Sequence, residues 1–412
     1  MQLSRREFLA TVGAGATLAA VGGISPRPAY ATHKTFGLLG GSDKDTPQLL
    51  AGLKANGFTH RMIPAYWSRL QASAFGPLDA GQLSALRSKI SAVRNAGLRV
   101  ALRINLQYPP GFVTGGSAPV PQFRAQEGTL WSATNSSGDN VRDWVWSRRG
   151  RDYAADFIRK VLAALDLTQI DRVELGGGIR GELQFPLVGS YPYKFWCYAS
   201  HAQLGGTDLA VGAQSATQAG LPKNYVPFGA GSTSVNDDLF RSWYISSLRS
   251  MMIWLISEHR KGGWNGPIFV LHPSFGLRSN TTRADRSYQE AVAQGQDWER
   301  HVRWYAANDP SVWPWSTWID RADFVSPPTV NSDLSPAKKL YNVAKAYEKT
   351  GLISGENTGA MSEADLDRVF GPSGPLATGY VNYCQLSLAE WGVSGVPTMA
   401  QLGQRIKKYY PN

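Results

Sequence analysis

The chain is 412 residues long and carries a formal net charge of +11 at pH 7, a length that suits one α/β domain with large loops. Its Lys and Arg are scattered, with no basic block interleaved by aromatics, which argues against a nucleic-acid groove and leaves envelope surfaces or anionic polymers to account for the charge. Two cysteines, Cys197 and Cys384, are too few for a metal cluster, a haem site or a disulfide framework, so one disulfide and two separate buried thiols are the open alternatives.

Residues 1–31 read as an export signal. Ser4-Arg5-Arg6-Glu7-Phe8-Leu9 is a twin-arginine pattern, an apolar small-residue run follows over 9–24, and Ala29-Tyr30-Ala31 is a cleavage site. The run is too short and too glycine-rich for a permanent span, and Gly13 and Gly15 belong to the signal rather than to a nucleotide loop. The expected mature protein is residues 32–412, exported by the twin-arginine route to the periplasm or medium. Losing three arginines and one glutamate with the signal leaves +9 over 381 residues. No cofactor fingerprint follows, so no cofactor is expected. Fourteen Trp and seventeen Tyr are compatible with stacking on sugar rings, although many must be core.

From residue 35 onward short apolar runs alternate with amphipathic helical stretches, the pattern of repeated β-α units. Strands are expected over 35–41, 60–67, 99–106 and 173–175, then over 268–275, 324–330, 352–357 and 380–388. Helices are expected over 46–56, 78–96 and 152–165, a short one over 196–204, and then over 238–259, 298–307, 335–350 and 362–370, the last with Ser362 as N-cap and Asp365 three residues on. Eight such units predict a (β/α)8 TIM barrel with long βα loops on the ligand side, notably 107–146 and 183–237. A doubly wound open sheet is the alternative.

The centre of the pattern is 173–186, which reads Val-Glu-Leu-Gly-Gly-Gly-Ile-Arg-Gly-Glu-Leu-Gln-Phe-Pro. A buried strand breaks into glycines, which allow unusual backbone angles and close ligand approach, and Glu182 follows in the loop. Glu356 ends the seventh predicted strand. Glycoside hydrolysis needs one carboxylic acid to protonate the departing oxygen and one carboxylate to activate water or attack the anomeric carbon, from opposite sides of the sugar. Glutamates at the ends of strands four and seven meet that need. The competing structural roles are a helix cap or loop ion pair for Glu182 and a buried pair with Arg61 or Arg103 for Glu356. Glu174, in mid-strand, is expected to be compensated by Arg103 rather than to act on substrate.

Further candidates for binding substrate are Tyr66 and Trp67 at the end of strand two, Asn105 and Gln107 after strand three, and Trp196 in the insertion. Arg180 beside Glu182, His272 at a strand end and Asn357 beside Glu356 complete the set. Glu390, in Ala389-Glu390-Trp391-Gly392, is the reserve nucleophile.

Gly181-Glu182-Leu183-Gln184-Phe185-Pro186 resembles the Gly-Glu-Leu-Arg-Tyr-Pro signature of β-amylases. In the same order, Phe195-Trp196-Cys197-Tyr198 and Phe240-Arg241-Ser242-Trp243-Tyr244 are similar to helices of that family. Gly355-Glu356-Asn357 is similar to its Gly-Glu-Asn, and Tyr383-Cys384-Gln385-Leu386-Ser387 to its last strand. The resemblance implies a (β/α)8 barrel and Glu182 as general acid. The family's second catalytic glutamate lies on the strand before Gly-Glu-Asn, which is here expected at Phe324-Val325-Ser326-Pro327-Pro328, without an acid. The chain is also similar to the wider clan of retaining glycosidases, which place acid/base and nucleophile after strands four and seven; that similarity implies Glu356 as nucleophile. An exported glycosidase acting on a poly- or oligosaccharide is therefore expected, with a non-catalytic envelope carbohydrate-binding barrel as the alternative.

Overall fold

A computed structural model describes residues 34–40, 42–132, 139–186, 191–277, 281–320, 335–356, 362–389 and 395–411. The expected signal, Asn357 and Glu390 lie outside them.

Eight parallel strands close into a barrel in sequence order. They are β1 (Thr35–Leu38), β2 (His60–Tyr66), β3 (Arg99–Asn105), β4 (Arg172–Leu175), β5 (Ile268–His272), β6 (Val312–Ser316), β7 (Ser354–Glu356) and β8 (Tyr383–Leu386). Closure runs from Thr35 opposite Tyr383 to Leu38 opposite Leu386. A helix follows each strand: α1 (Pro47–Ala55), α2 (Ala80–Asn95), α3 (Arg148–Ala164), α4 (Ser234–Lys261), α5 (Trp298–Asn308), α6 (Pro336–Ala346), α7 (Glu363–Phe370) and α8 (Met399–Tyr409).

Each of these helices starts on a side-chain oxygen that accepts a first-turn N–H. The caps are Thr46, Asp79, Ser147, Thr233, Asp297, Ser335, Ser362 and Thr398, the last two in reciprocal capping boxes with Asp365 and Gln401. The chain thus re-enters the helical layer at a fixed angle after every strand, and the barrel ends that carry the long loops are held in place.

The lower barrel is filled by Phe269, Leu271, Trp315 and Tyr383. The Arg172 guanidinium lies 4.0 Å from the Tyr383 ring centre and 4.8 Å from that of Phe269. It also donates to His60 Nε2 at 2.9 Å, so Nδ1 of that ring carries the proton, directed at the Thr59 hydroxyl 2.8 Å away. Burial, with Arg172 and Arg99 adding to it, holds the His60 pKa well below its usual value.

One strand differs from expectation. The sixth is Val312–Ser316, not 324–330, which lies outside the described residues. Val-Trp-Pro-Trp-Ser places Pro314 inside the strand, where it lacks a ladder N–H, and that demotes the segment in any reading based on propensity. Four shorter or later helices, Trp67–Leu70, Gly111–Gly115, Arg286–Gln294 and α8, were not expected either. The two cysteines are separate, free and buried.

Candidate active site

The loop after β4 is built so tightly that glycine is required in it. A Cβ on Gly176 would lie 1.8 Å from the Gly181 carbonyl oxygen, and one on Gly178 would lie 2.3 Å from that of Gln184. Gly177 and Gly181 have φ of +90° and +74°, and Arg180 sits at +58°. The Arg180 backbone N–H donates to buried Asp139 at 2.8 Å, which offsets the cost of that left-handed turn. The Gly178 N–H then donates to the Glu182 carbonyl at 2.7 Å, and the Leu183 N–H to the β5 carbonyl of Leu271 at 2.9 Å. Phe185 stacks on Tyr244 of α4 at 3.9 Å and on Trp146 at 5.4 Å. Glu182 is thus clamped on both sides at the mouth of the barrel.

Its carboxyl is 5% exposed and accepts from Gln184 Nε2 at 2.5 Å. Burial pushes its pKa up to about 7. The Thr317 hydroxyl works against that shift, the Glu356 charge adds to it, and Arg180 and Arg103 lower it. Arg180 itself is exposed, and its influence on the acid is smaller than that of burial.

Glu356 ends β7, 5% exposed, and meets a cation. Arg103 Nη2 donates to its Oε2 at 2.9 Å, while Arg103 Nε donates to Glu174 Oε2 at 2.8 Å. The register explains the arrangement: Arg103 on β3 lies opposite Glu174 on β4, and Glu356 on β7 lies opposite Gln385 on β8, whose amide also donates to Glu174. Burial works against the Arg103 charge, but Glu356 and Glu174 outweigh it and raise its pKa. Glu174 is pushed up by burial despite Arg103. Arg61 does not serve Glu356; it pairs with Asp45 at 2.9 Å.

The mouth therefore holds two carboxyl groups in unlike surroundings. One has an amide and a hydroxyl beside it and keeps its proton up to about pH 7, and the other is ion-paired. Such a pair can donate a proton on one side of a bound molecule while presenting negative charge on the other.

Of the remaining candidates, Tyr66 is half-buried at the end of β2, its ring 5.5 Å from that of half-buried Tyr108 and under the Arg69 guanidinium at 4.7 Å. Asn105 is 5% exposed at the end of β3, and its buried Oδ1 has no hydrogen-bond donor among the described residues. Gln107 is buried against Gly181, its Nε2 3.0 Å from where a Cβ there would stand. Three candidates are corrected. Trp67 is wholly buried, stacked on Phe157 at 5.3 Å with its N–H on Gln71, so its ring faces the core and no sugar. Trp196 is 2% exposed, edge-on to Trp131 at 5.3 Å beneath the insertion. His272 is wholly buried on the helix side of β5, 5.6 Å from the His301 ring and 6.2 Å from Trp298, and burial drops its pKa to about 3.

Thr317, Tyr108, Asp139 and Gln184 escaped the sequence reading. Thr317 was hidden by the misplaced sixth strand, since it directly follows the true β6; Tyr108 was legible as an aromatic just past β3. Asp320 follows β6 four residues after its end and is buried. Arg368 of α7 donates to the Asp320 backbone carbonyl at 2.9 Å, and burial, with the Asp320 charge adding to it, raises the pKa of Cys384, a thiol in the core. Among the described residues no three His, Cys, Asp or Glu gather to hold a metal ion, and no helix is long and apolar enough to cross a membrane.

Among solved structures, the chain is similar to the catalytic domain of β-amylase from Paenibacillus polymyxa, with a TM-score of 0.65 and 20% identity over 92% of this chain and 97% of that one. A GH5-4 broad specificity endoglucanase from an uncultured bacterium matches over 93% of this chain and 95% of its own, with a TM-score of 0.49 and 9% identity. No family model and no curated protein matches. The chain has the fold of the (β/α)8 glycosidases.

Proposed function

We propose that the protein is an exported glycoside hydrolase that cleaves a poly- or oligosaccharide. Glu182 is the general acid and Glu356 the base or nucleophile. The observation that carries this reading is the opposite treatment of two glutamates at one barrel mouth. Burial keeps Glu182 protonated up to about pH 7, as a proton donor to a leaving oxygen requires, while Glu356 is paired with the Arg103 guanidinium at 2.9 Å. Arg103 and Gln385 hold Glu356 and Glu174 in place, and Tyr66 and Tyr108 offer half-exposed faces for a sugar ring. The twin-arginine pattern supports a site of action outside the cytoplasm. Fold likeness to a glycosidase supports the class and says nothing of the sugar.

The test is sugar release from a panel of plant and bacterial polysaccharides, with Glu182→Gln and Glu356→Gln alongside. Loss of either group is expected to cost at least about 100-fold in rate, and the anomer of the first product distinguishes a base from a nucleophile. A wild-type protein that retains a polymer on a column but cuts nothing would make this a carbohydrate-binding barrel instead.

A further inference from the structure

A second concavity lies away from the two glutamates. It is a cleft of about 480 Å³ between the β3–α3 and β4–α4 connections, on the same end of the barrel as Glu182. That volume falls in the range of about 300–1,000 Å³ usual for small-ligand clefts. Its lining combines the exposed cations Arg124 and Lys223 with His201, Tyr198 and two exposed leucines, Leu130 at 44% and Leu204 at 47%.

The cleft has fixed walls. His201 Nε2 lies 2.7 Å from Asp143 Oδ2, whose other oxygen accepts from the Val145 and Trp146 N–H groups. Burial opposes the His201 charge, but Asp143 outweighs it and raises the pKa. The Tyr198 hydroxyl donates to the Tyr225 carbonyl at 2.6 Å, fixing the ring. Lys223 is set on the rim by its neighbour Asn224, at φ +57°, whose N–H donates to buried Gln203 Oε1 at 2.8 Å. Asp143 is consumed by His201. Arg124 and Lys223, in contrast, have no carboxylate within ion-pair distance among the described residues.

The cleft is also tied to the first site. Asp139 receives the Arg180 N–H and Asp143 holds His201, so four residues of one strand of chain connect them, a separation of at most about 14 Å between those two α-carbons. Two uncompensated cations beside exposed apolar side chains suit a ring with C–H faces and an acidic substituent, where charge-assisted hydrogen bonds form.

We propose that this cleft is a subsite for an acid-bearing sugar, a uronate or a sulfate ester, in a polysaccharide chain that continues to Glu182. Arg124 and Lys223 take the acidic group, and Leu130 and Leu204 cover the ring. The continuation to Glu182 rests on the glycosidase reading; the binding of an acidic sugar does not.

The experiment measures binding of the full chain to polygalacturonate, dextran sulfate and neutral dextran by affinity electrophoresis at low and moderate salt. The variants are Arg124→Ala with Lys223→Ala, and a control of equal charge change on α8, Lys407→Ala with Lys408→Ala. At least one acidic polymer is expected to bind about 10-fold or more tighter than dextran. The cleft variant loses at least about 10-fold, whereas the α8 control binds as wild type. Carboxylate and sulfate are separated by which polymer is retained. Equal retention of dextran, equal weakening in cleft and control variants, or no weakening in the cleft variant overturns the proposal. Binding as expected without cleavage of any polymer sinks the glycosidase reading and leaves the cleft; cleavage unaffected by the cleft variant, with no selective binding, does the reverse.

Discussion

Replacing Glu182 with Gln should make the protein more stable at pH 8 than wild type, by an amount that vanishes in acid. In the folded chain burial moves this carboxyl from 4.5 to about 7, while in the unfolded chain it returns to its ordinary value. Below about pH 4.5 both states are protonated and the shift contributes nothing. Between 4.5 and 7 the unfolded state releases its proton and the folded state keeps it, so stability falls as pH rises; above 7 the full cost is present. A shift of about 2.5 units at 1.36 kcal/mol each makes that cost about 3 kcal/mol. The substituted amide keeps an oxygen to accept from Gln184 and removes the ionisation. Urea unfolding followed by tryptophan fluorescence at pH 5, 6, 7 and 8 reads the difference. With a slope near ~3 kcal/mol per molar, the gap between the two midpoints should widen by somewhat under ~1 M from pH 5 to pH 8. Midpoints that run parallel across this range would show that Glu182 is not held protonated by burial, and the acid role would lose its physical basis.

Arg103→Leu should destabilise by about 3–5 kcal/mol at pH 8, because Glu174 and Glu356 are left buried without their cation, and by less at pH 5, where Glu174, whose pKa burial already raises, can take up a proton; urea midpoints at the two pH values check this. Trp67→Ala should cost about 3–5 kcal/mol through lost core packing, yet leave the KM for whichever oligosaccharide is cleaved within about twofold; a large rise in KM would return Trp67 to the binding face. Gly176→Ala should cost at least about 2 kcal/mol, since its methyl would overlap the Gly181 carbonyl, and should shift or release the Glu182 loop. Thermal unfolding together with the pH dependence described for Glu182 reads both effects. Among substitutions at the mouth, Glu182→Gln and Glu356→Gln should each abolish sugar release by at least about 100-fold while preserving the fold, as measured by product assay and far-UV circular dichroism.

Fold class was legible because barrel strands announce themselves by short apolar runs and their helices by period and cap, and both are local properties. Ser362 with Asp365 and the glycines of 176–181 carry their conformations in their own chemistry, and the structure gives them the roles read from sequence. The sixth strand escaped because Pro314 contradicts its neighbours locally and is tolerated only where β5 and β7 supply the pairing. Aromatic residues were the least legible. Trp67 stacks on Phe157, Trp196 meets Trp131 edge-on, and Phe195 of the insertion packs with Phe185 on Tyr244, a matter of which face the backbone turns inward, and composition holds no information about that.

By itself the sequence determined the eight-unit barrel, the glycine-bound loop and the positions of Glu182 and Glu356, because periodicity, turn chemistry and short motifs act within a few residues. Only the tertiary structure decided that Arg103 bridges Glu174 and Glu356, that Thr317 faces Glu182, and that Arg124 and Lys223 share one cleft. These contacts join residues tens to hundreds of positions apart, and the barrel's register and the burial it imposes determine which of them meet and which proton each carboxyl keeps.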